Sequence, residues 1–95
     1  MALDSYVVET LMRDLVGHDR SPAAFIVYLY MAHQVEKTRR SAAALSLQKI
    51  AHGTGLSKSA VQGAMRLLRR RKLLAVSKSS PTAVPVYEVL KPWDR

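Results

Sequence analysis

Lys58, Ser59, Gln62 and Arg66 recur at helical spacing, so a helix over this stretch would carry an ammonium, a hydroxyl, an amide and a guanidinium outward. Gly63 would lie among them. A glutamine amide offers a donor and an acceptor together, the combination that matches the edge of adenine. Lysine and arginine donate only, which suits guanine or a phosphate oxygen. Ser57 and Ser59 would stand at the start of such a helix, where free N–H groups and the helix dipole also favour an anion. Bond-making chemistry is not arranged in the same way. The chain has no cysteine, and it shows no paired catalytic carboxylates, no nucleophile with a base and no glycine-rich phosphate loop. His18, His33 and His52 share no metal-ligand spacing. Neither enzyme activity nor a metal or organic cofactor is expected.

Charge points to the partner class. From Lys37 through Tyr87 there are eleven Lys or Arg residues and no Asp or Glu, whereas residues 1–36 hold five acids against two bases. A surface needing only solubility intersperses both signs, because a one-sided field repels itself. The natural partner of this stretch is a polyanion, and nucleic acid is the strongest candidate. Its densest run, Arg69-Arg70-Arg71-Lys72, reads first as a solvated helix face, with Arg70 a phosphate candidate; Arg39 and Arg40 serve loop solubility or a nucleic-acid contact equally well.

Ninety-five residues make one domain of modest core. The longest strongly apolar stretch, Pro22 to Ala32, is far short of the ~20 residues needed to span a bilayer. The N-terminus has neither a basic n-region nor an apolar h-region. A cytoplasmic, nucleoid-associated protein is expected.

The elements that would position these groups follow from local signals. Asp4 or Ser5 can cap a first helix to about Val16, with Val8, Leu11, Met12, Leu15 and Val16 as its apolar stripe and Gly17 as its stop. Ser21-Pro22 opens a second helix to about Lys37, apolar on nearly every face and therefore central. Ala42-Ala43-Ala44 is ambiguous between loop and helix. Ser46 caps a short helix, Leu47 to His52, and Gly53-Thr54-Gly55 supplies a tight turn. Ser57 caps the next helix, about Lys58 to Arg71, with Val61, Ala64, Met65 and Leu68 inward. Leu73–Val76 and Val84–Leu90 read as strands joined by Ser77–Ala83, with Pro85 near a strand start or on an edge.

Two short helices joined by a glycine turn, the second serine-capped and basic, form a helix-turn-helix, and a following hairpin makes it winged. The string from Ser46 to Leu74 resembles the winged helix-turn-helix of GntR- and MarR-type bacterial regulators. The most specific pieces are Ile50-Ala51, Thr54-Gly55-Leu56-Ser57, Val61-Gln62 and Leu73-Leu74. With the hairpin, the resemblance covers roughly residues 45–90. It implies a mainly α domain with a small β-hairpin wing, in which residues 21–90 form the winged core, 46–71 the helix-turn-helix and 73–90 the wing. Residues 1–20 add an extra N-terminal helix. It also implies double-stranded DNA as partner, read in the major groove by helix 58–71.

The expected contacts are Lys49 on the preceding helix, Ser57, Lys58, Ser59, Gln62, Gly63, Arg66 and Arg70 on the reading helix, and Lys78 at the wing tip. Three departures from the family pattern stand out. Gly63 interrupts the reading helix, Lys72 replaces the usual helix-ending glycine, and Leu67 is expected to be exposed beside Arg66. A winged domain does not need the first helix, so Val8, Leu11, Met12 and Leu15 are expected to bury in a homodimer. Two-fold symmetry would then present paired reading helices to half-sites ~34 Å apart or a multiple of it. The expected function is sequence-specific duplex binding by a prokaryotic, phage or plasmid transcriptional regulator. A replication-initiation or partition factor on the same fold, and a winged-helix module for protein or RNA, are the alternatives.

Overall fold

Three serines start three helices. The computed structural model describes residues 4–38 and 42–93, so the expectations for Arg39 and Arg40 lie outside the described residues. The Ser21 hydroxyl accepts from Ala24 N at 3.2 Å and opens α1, Pro22–Thr38. Ser46 accepts from Lys49 N at 3.1 Å and opens α2, Leu47–Thr54. Ser57 accepts from Ala60 N at 3.1 Å and opens α3, Lys58–Arg70. Each cap satisfies an amide that the first helical turn leaves without a partner, a contribution of about 1 kcal/mol. Among the described residues no helix is long and apolar enough to cross a membrane.

The strands are β1 (Ala42–Ala44), β2 (Leu74–Ser77) and β3 (Val86–Val89), forming one antiparallel sheet in the order β1-β3-β2. Ala43, Tyr87 and Val76 lie opposite one another and share the inward face; Ala42, Glu88 and Ala75 share the outward one. Leu45 N to Pro85 O (3.1 Å) and Leu90 N to Leu73 O (3.0 Å) prolong the two ladders. The alanine run is therefore strand, neither loop nor helix. Pairing to β3 overrides alanine's weak strand preference, as tertiary context commonly does. Pro85 stands immediately before β3, where it forfeits no ladder bond.

α1 is central, as its composition implies. It buries Ala24, Phe25, Val27, Tyr28 and Met31 and packs on α2, α3, β1, β3 and the N-terminal helix. Ile26 is the exception, 41% exposed. The α2–α3 connection is three residues, Gly55-Leu56-Ser57, shorter than the five expected between His52 and Lys58. α2 runs through Gly53 and Thr54, and Gly55 alone turns the chain at φ 81, a left-handed cap that suits glycine. Gly53 sits in the helix because Tyr30 lies against it: a Cβ there would come within 2.5 Å of the phenol ring.

The N-terminal helix differs most from expectation. It winds in wide turns over Val7–Leu11 and Arg13–His18, with Met12 N bonded to Val7 O and Asp19 N to Asp14 O, each five residues back. Gly17 does not stop it. The chain reverses at Arg20, in the left-handed region at φ 53, with Ser21 N bonded to Leu15 O at 2.8 Å. Residues four apart form rows along this helix, and only the row Val7, Leu11, Leu15 faces inward. Leu11 and Leu15, expected at a dimer interface, are sealed in the chain's own core at 3% and 0% exposure. Val8, Met12 and Val16 form the neighbouring row and are exposed. The far end of the chain holds this helix down. Trp93 stacks on Tyr6 at 4.4 Å, and its Nε1 donates to Asp4 Oδ2 at 3.1 Å. Asp4 Oδ1 accepts from Tyr6 N at 2.9 Å, and these two bonds hold the Asp4 carboxyl below its usual range. Burial, helped by the Asp4 charge, pushes the Tyr28 phenol up to about 12, so it stays a donor to Leu90 O at 3.2 Å.

Lys72 solves the missing-glycine problem by adopting the glycine conformation itself, at φ 59. Leu73 N bonds to Leu68 O (2.9 Å) and Lys72 N to Arg69 O (3.0 Å), the paired bonds of a Schellman end, and buried Leu68 and Leu73 supply its apolar contact. An L-residue in this region carries about 1–2 kcal/mol of strain. Lys72→Gly should therefore melt higher than Lys72→Ala by about 4–8 °C per kcal/mol relieved, with the lysine charge absent from both variants.

Candidate nucleic-acid interface

α3 separates its residues cleanly. Val61, Ala64, Met65 and Leu68 are buried as the spacing predicts, and Leu67 is buried with them rather than exposed. Leu67 joins the buried core cluster at 9% exposure. Arg71 reaches the N-terminal helix, with Nε 3.2 Å from Asp19 Oδ2 and an Nη 3.8 Å from Asp14 Oδ2. The end of α3 is thus tied by charge to that helix. Asp19 Oδ2 is buried without a well-angled hydrogen bond, so the nearby guanidinium charge is its compensation.

On the outward side Lys58, Ser59, Gln62, Arg66, Arg69 and Arg70 are exposed. Among the described residues none of their cationic groups has a carboxylate within 4 Å, in contrast to Arg71. The basic run thus divides by role: Arg71 braces the fold, Lys72 ends the helix, and Arg69 and Arg70 are left with full charge toward solvent. The Ser57 and Ser59 hydroxyls lie 3.3 Å apart at the helix start, and only one proton is needed between them, so one remains to donate elsewhere. Lys49 is exposed near the start of α2, and Lys78 is exposed in the loop between β2 and β3. Lys78 reaches no nearer than 3.5 Å to Pro81 O, at the long limit of a hydrogen bond.

Two members of the face were not in the sequence-derived set. Arg69 follows Arg66 by three residues and Gln62 by seven, so helical spacing alone could have selected it over Arg70. Tyr87 carried no such signal, because its direction depends on the β1–β3–β2 register. Together with Leu47, Gln62, Met65 and Arg66, these two line an open groove of about 330 Å³ between α3, the start of α2 and the sheet. Burial pushes the Tyr87 phenol up from its ordinary value, and the Arg69 charge partly offsets that. The hydroxyl therefore remains protonated at neutral pH.

Gly63 answers to no internal constraint. A Cβ there would meet only an Arg66 nitrogen, at 3.9 Å. Gly63→Ala is therefore expected to stabilise the fold by about 0.5–1 kcal/mol in thermal melts. If a duplex backbone approaches α3 at this point, the same variant must bind DNA more weakly, and the two opposite signs are measured on one sample. Among the described residues no cluster of three His, Asp or Glu side chains could hold a metal.

Comparison with protein-family models, with curated proteins and with solved structures finds no match to this chain, so the functional reading stands on the residues themselves.

Proposed function

We propose that the chain is a winged helix-turn-helix protein that binds double-stranded DNA sequence-specifically and acts as a prokaryotic, phage or plasmid transcriptional regulator. The observation that carries this reading is the outward face of α3. It gathers Lys58, Gln62, Arg66 and Arg69 without one carboxylate partner among the described residues. The order helix, strand, helix, helix, strand, strand also supports it, with Gly55 turning α2 into α3 and an eight-residue loop between β2 and β3. On this reading α3 enters the major groove. Gln62 and Lys58 address base edges, Arg66 and Ser57 the backbone, and Lys78 the groove edge.

The reading includes a homodimer, through the part of its apolar stripe that the core leaves exposed, Val8 and Met12, without the buried Leu11 and Leu15. Val8, Met12 and Val16 form an exposed row, and Ile26 on the adjoining α1 is exposed as well. Glu9 and Arg13, also exposed, follow Val8 and Met12 by one residue and so share one edge of that row. In an antiparallel pairing like edges meet, and with the two-fold axis at the level of residue 11 each Glu9 would face Arg13 of the second copy. Selection from a random duplex pool at ~150 mM salt, followed by sequencing, tests both parts. An enriched inverted repeat is expected. A single unpaired motif would sink the dimer, and retention without enrichment that vanishes as salt rises would sink sequence-specific reading.

A further inference from the structure

We propose that the groove between α3 and β3 is a phosphate site, in which Arg66 and Arg69 grip a tetrahedral oxyanion and the Tyr87 hydroxyl donates to it from the floor. The inference rests on the nucleic-acid reading only for where the phosphate comes from; the site itself stands on its lining. Four donor-bearing groups converge there from two elements: the Gln62 amide and both guanidiniums from α3, and the phenol from β3. Arg66 and Arg69 are three residues apart, which puts their Cβ atoms about 5–6 Å from one another on one helix face. Two guanidinium forks at that separation reach different oxygens of one group. A carboxylate presents two oxygens in a plane. A phosphate presents them around a tetrahedron and can accept from the helix side and the sheet side at once.

Among the described residues the charge of the site has no carboxylate partner. Glu88 is the neighbour of Tyr87 in sequence, but strand alternation turns it to the other face of the sheet, where it lines a separate hollow with Ala42 and Ala75. The Tyr87 hydroxyl has no hydrogen-bond partner among the described residues; the ring is buried, at 7% exposure for the residue, while the oxygen stays open to solvent in the groove. Its burial keeps the proton on oxygen, so it donates. Leu47 and Met65 form the apolar wall, which excludes water from one side and strengthens the charged contacts. The phosphate can arrive as a phosphodiester of the duplex or on a free mononucleotide. In the second case it occupies Gln62 and Arg66, and so competes with DNA.

Three proteins separate these outcomes: wild type, Arg69→Ala and Tyr87→Phe, each first shown to melt normally. Anisotropy titrations would use labelled duplexes, intact or carrying one neutral methylphosphonate, with AMP and inorganic phosphate as competitors. If the duplex supplies the phosphate, both variants lose about tenfold in affinity, a hydrogen bond to a charged group being lost in each. The salt slope then falls by about one for Arg69→Ala and not at all for Tyr87→Phe. One methylphosphonate position should weaken the wild type more than either variant, because each variant has already lost one of the contacts to that phosphate. If a free phosphate is the ligand, AMP displaces duplex from the wild type and fails to do so from Arg69→Ala. Wild-type duplex affinity in both variants, with no response to AMP or phosphate, overturns the site and leaves the DNA reading standing. A wild type that binds no duplex but, titrated directly, binds a fluorescently labelled AMP that Arg69→Ala does not bind keeps the site and removes the DNA reading.

Discussion

Leu15→Ala is expected to destabilise the monomeric chain by about 2–5 kcal/mol, and Met12→Ala, in the neighbouring row, by less than about 0.5 at protein concentrations too low for the proposed dimer. The two residues are three apart on the same helix and are both unbranched at Cβ, so the contrast isolates their surroundings. Leu15 is wholly buried with Val7 and Leu11, whereas Met12 is 39% exposed. Truncating Leu15 leaves a void that its close-packed neighbours fill only in part. Against the roughly 5–15 kcal/mol that holds a small domain together, the loss is a large fraction. Urea midpoints at constant slope would measure it. Equal and small effects at both positions would mean that the N-terminal helix detaches without cost to the rest, contradicting its place in the core.

The second large effect concerns affinity. On the proposed binding mode Gln62→Ala removes about 1–3 kcal/mol of discrimination at one base pair and leaves binding to unrelated duplexes nearly unchanged. Arg66→Ala does the reverse, weakening every duplex and reducing the salt slope by about one. The difference follows from what each side chain offers. An amide matches one base edge and has no charge to release counterions; a guanidinium on the backbone releases them whatever the sequence. Titrating the selected site and a scrambled duplex at several salt concentrations gives both quantities. Equal loss on all sequences for Gln62→Ala would contradict its assignment to a base edge.

What was legible in the sequence was local. Ser21, Ser46 and Ser57 announce three helices because a cap needs only its own hydroxyl and an amide three residues on. The sorting of α3 into an apolar and a basic face follows from spacing alone, with Leu67 as the exception. That exception shows where such reasoning stops, because Leu67 is buried by the tertiary core it joins and not by anything in the spacing of α3. β1 was illegible for a similar reason: three alanines carry no strand signal, and their conformation is imposed by β3, more than forty residues away. The groove inherits this. Gln62, Arg66 and Arg69 could be grouped from spacing, but Tyr87 joins them only once the strand register is known. In the N-terminal helix, spacing identified an apolar surface without deciding which of two adjacent rows the core would take.

The stacking of Trp93 on Tyr6 has a practical side. The chain has one tryptophan, and it sits against the N-terminal helix, whereas the proposed reading face is on α3. Intrinsic emission is therefore a label-free optical gauge of whether that helix is seated. Duplex that docks on α3 alone should leave the emission unchanged, and a shift in colour on adding DNA would mean that the two ends of the molecule communicate.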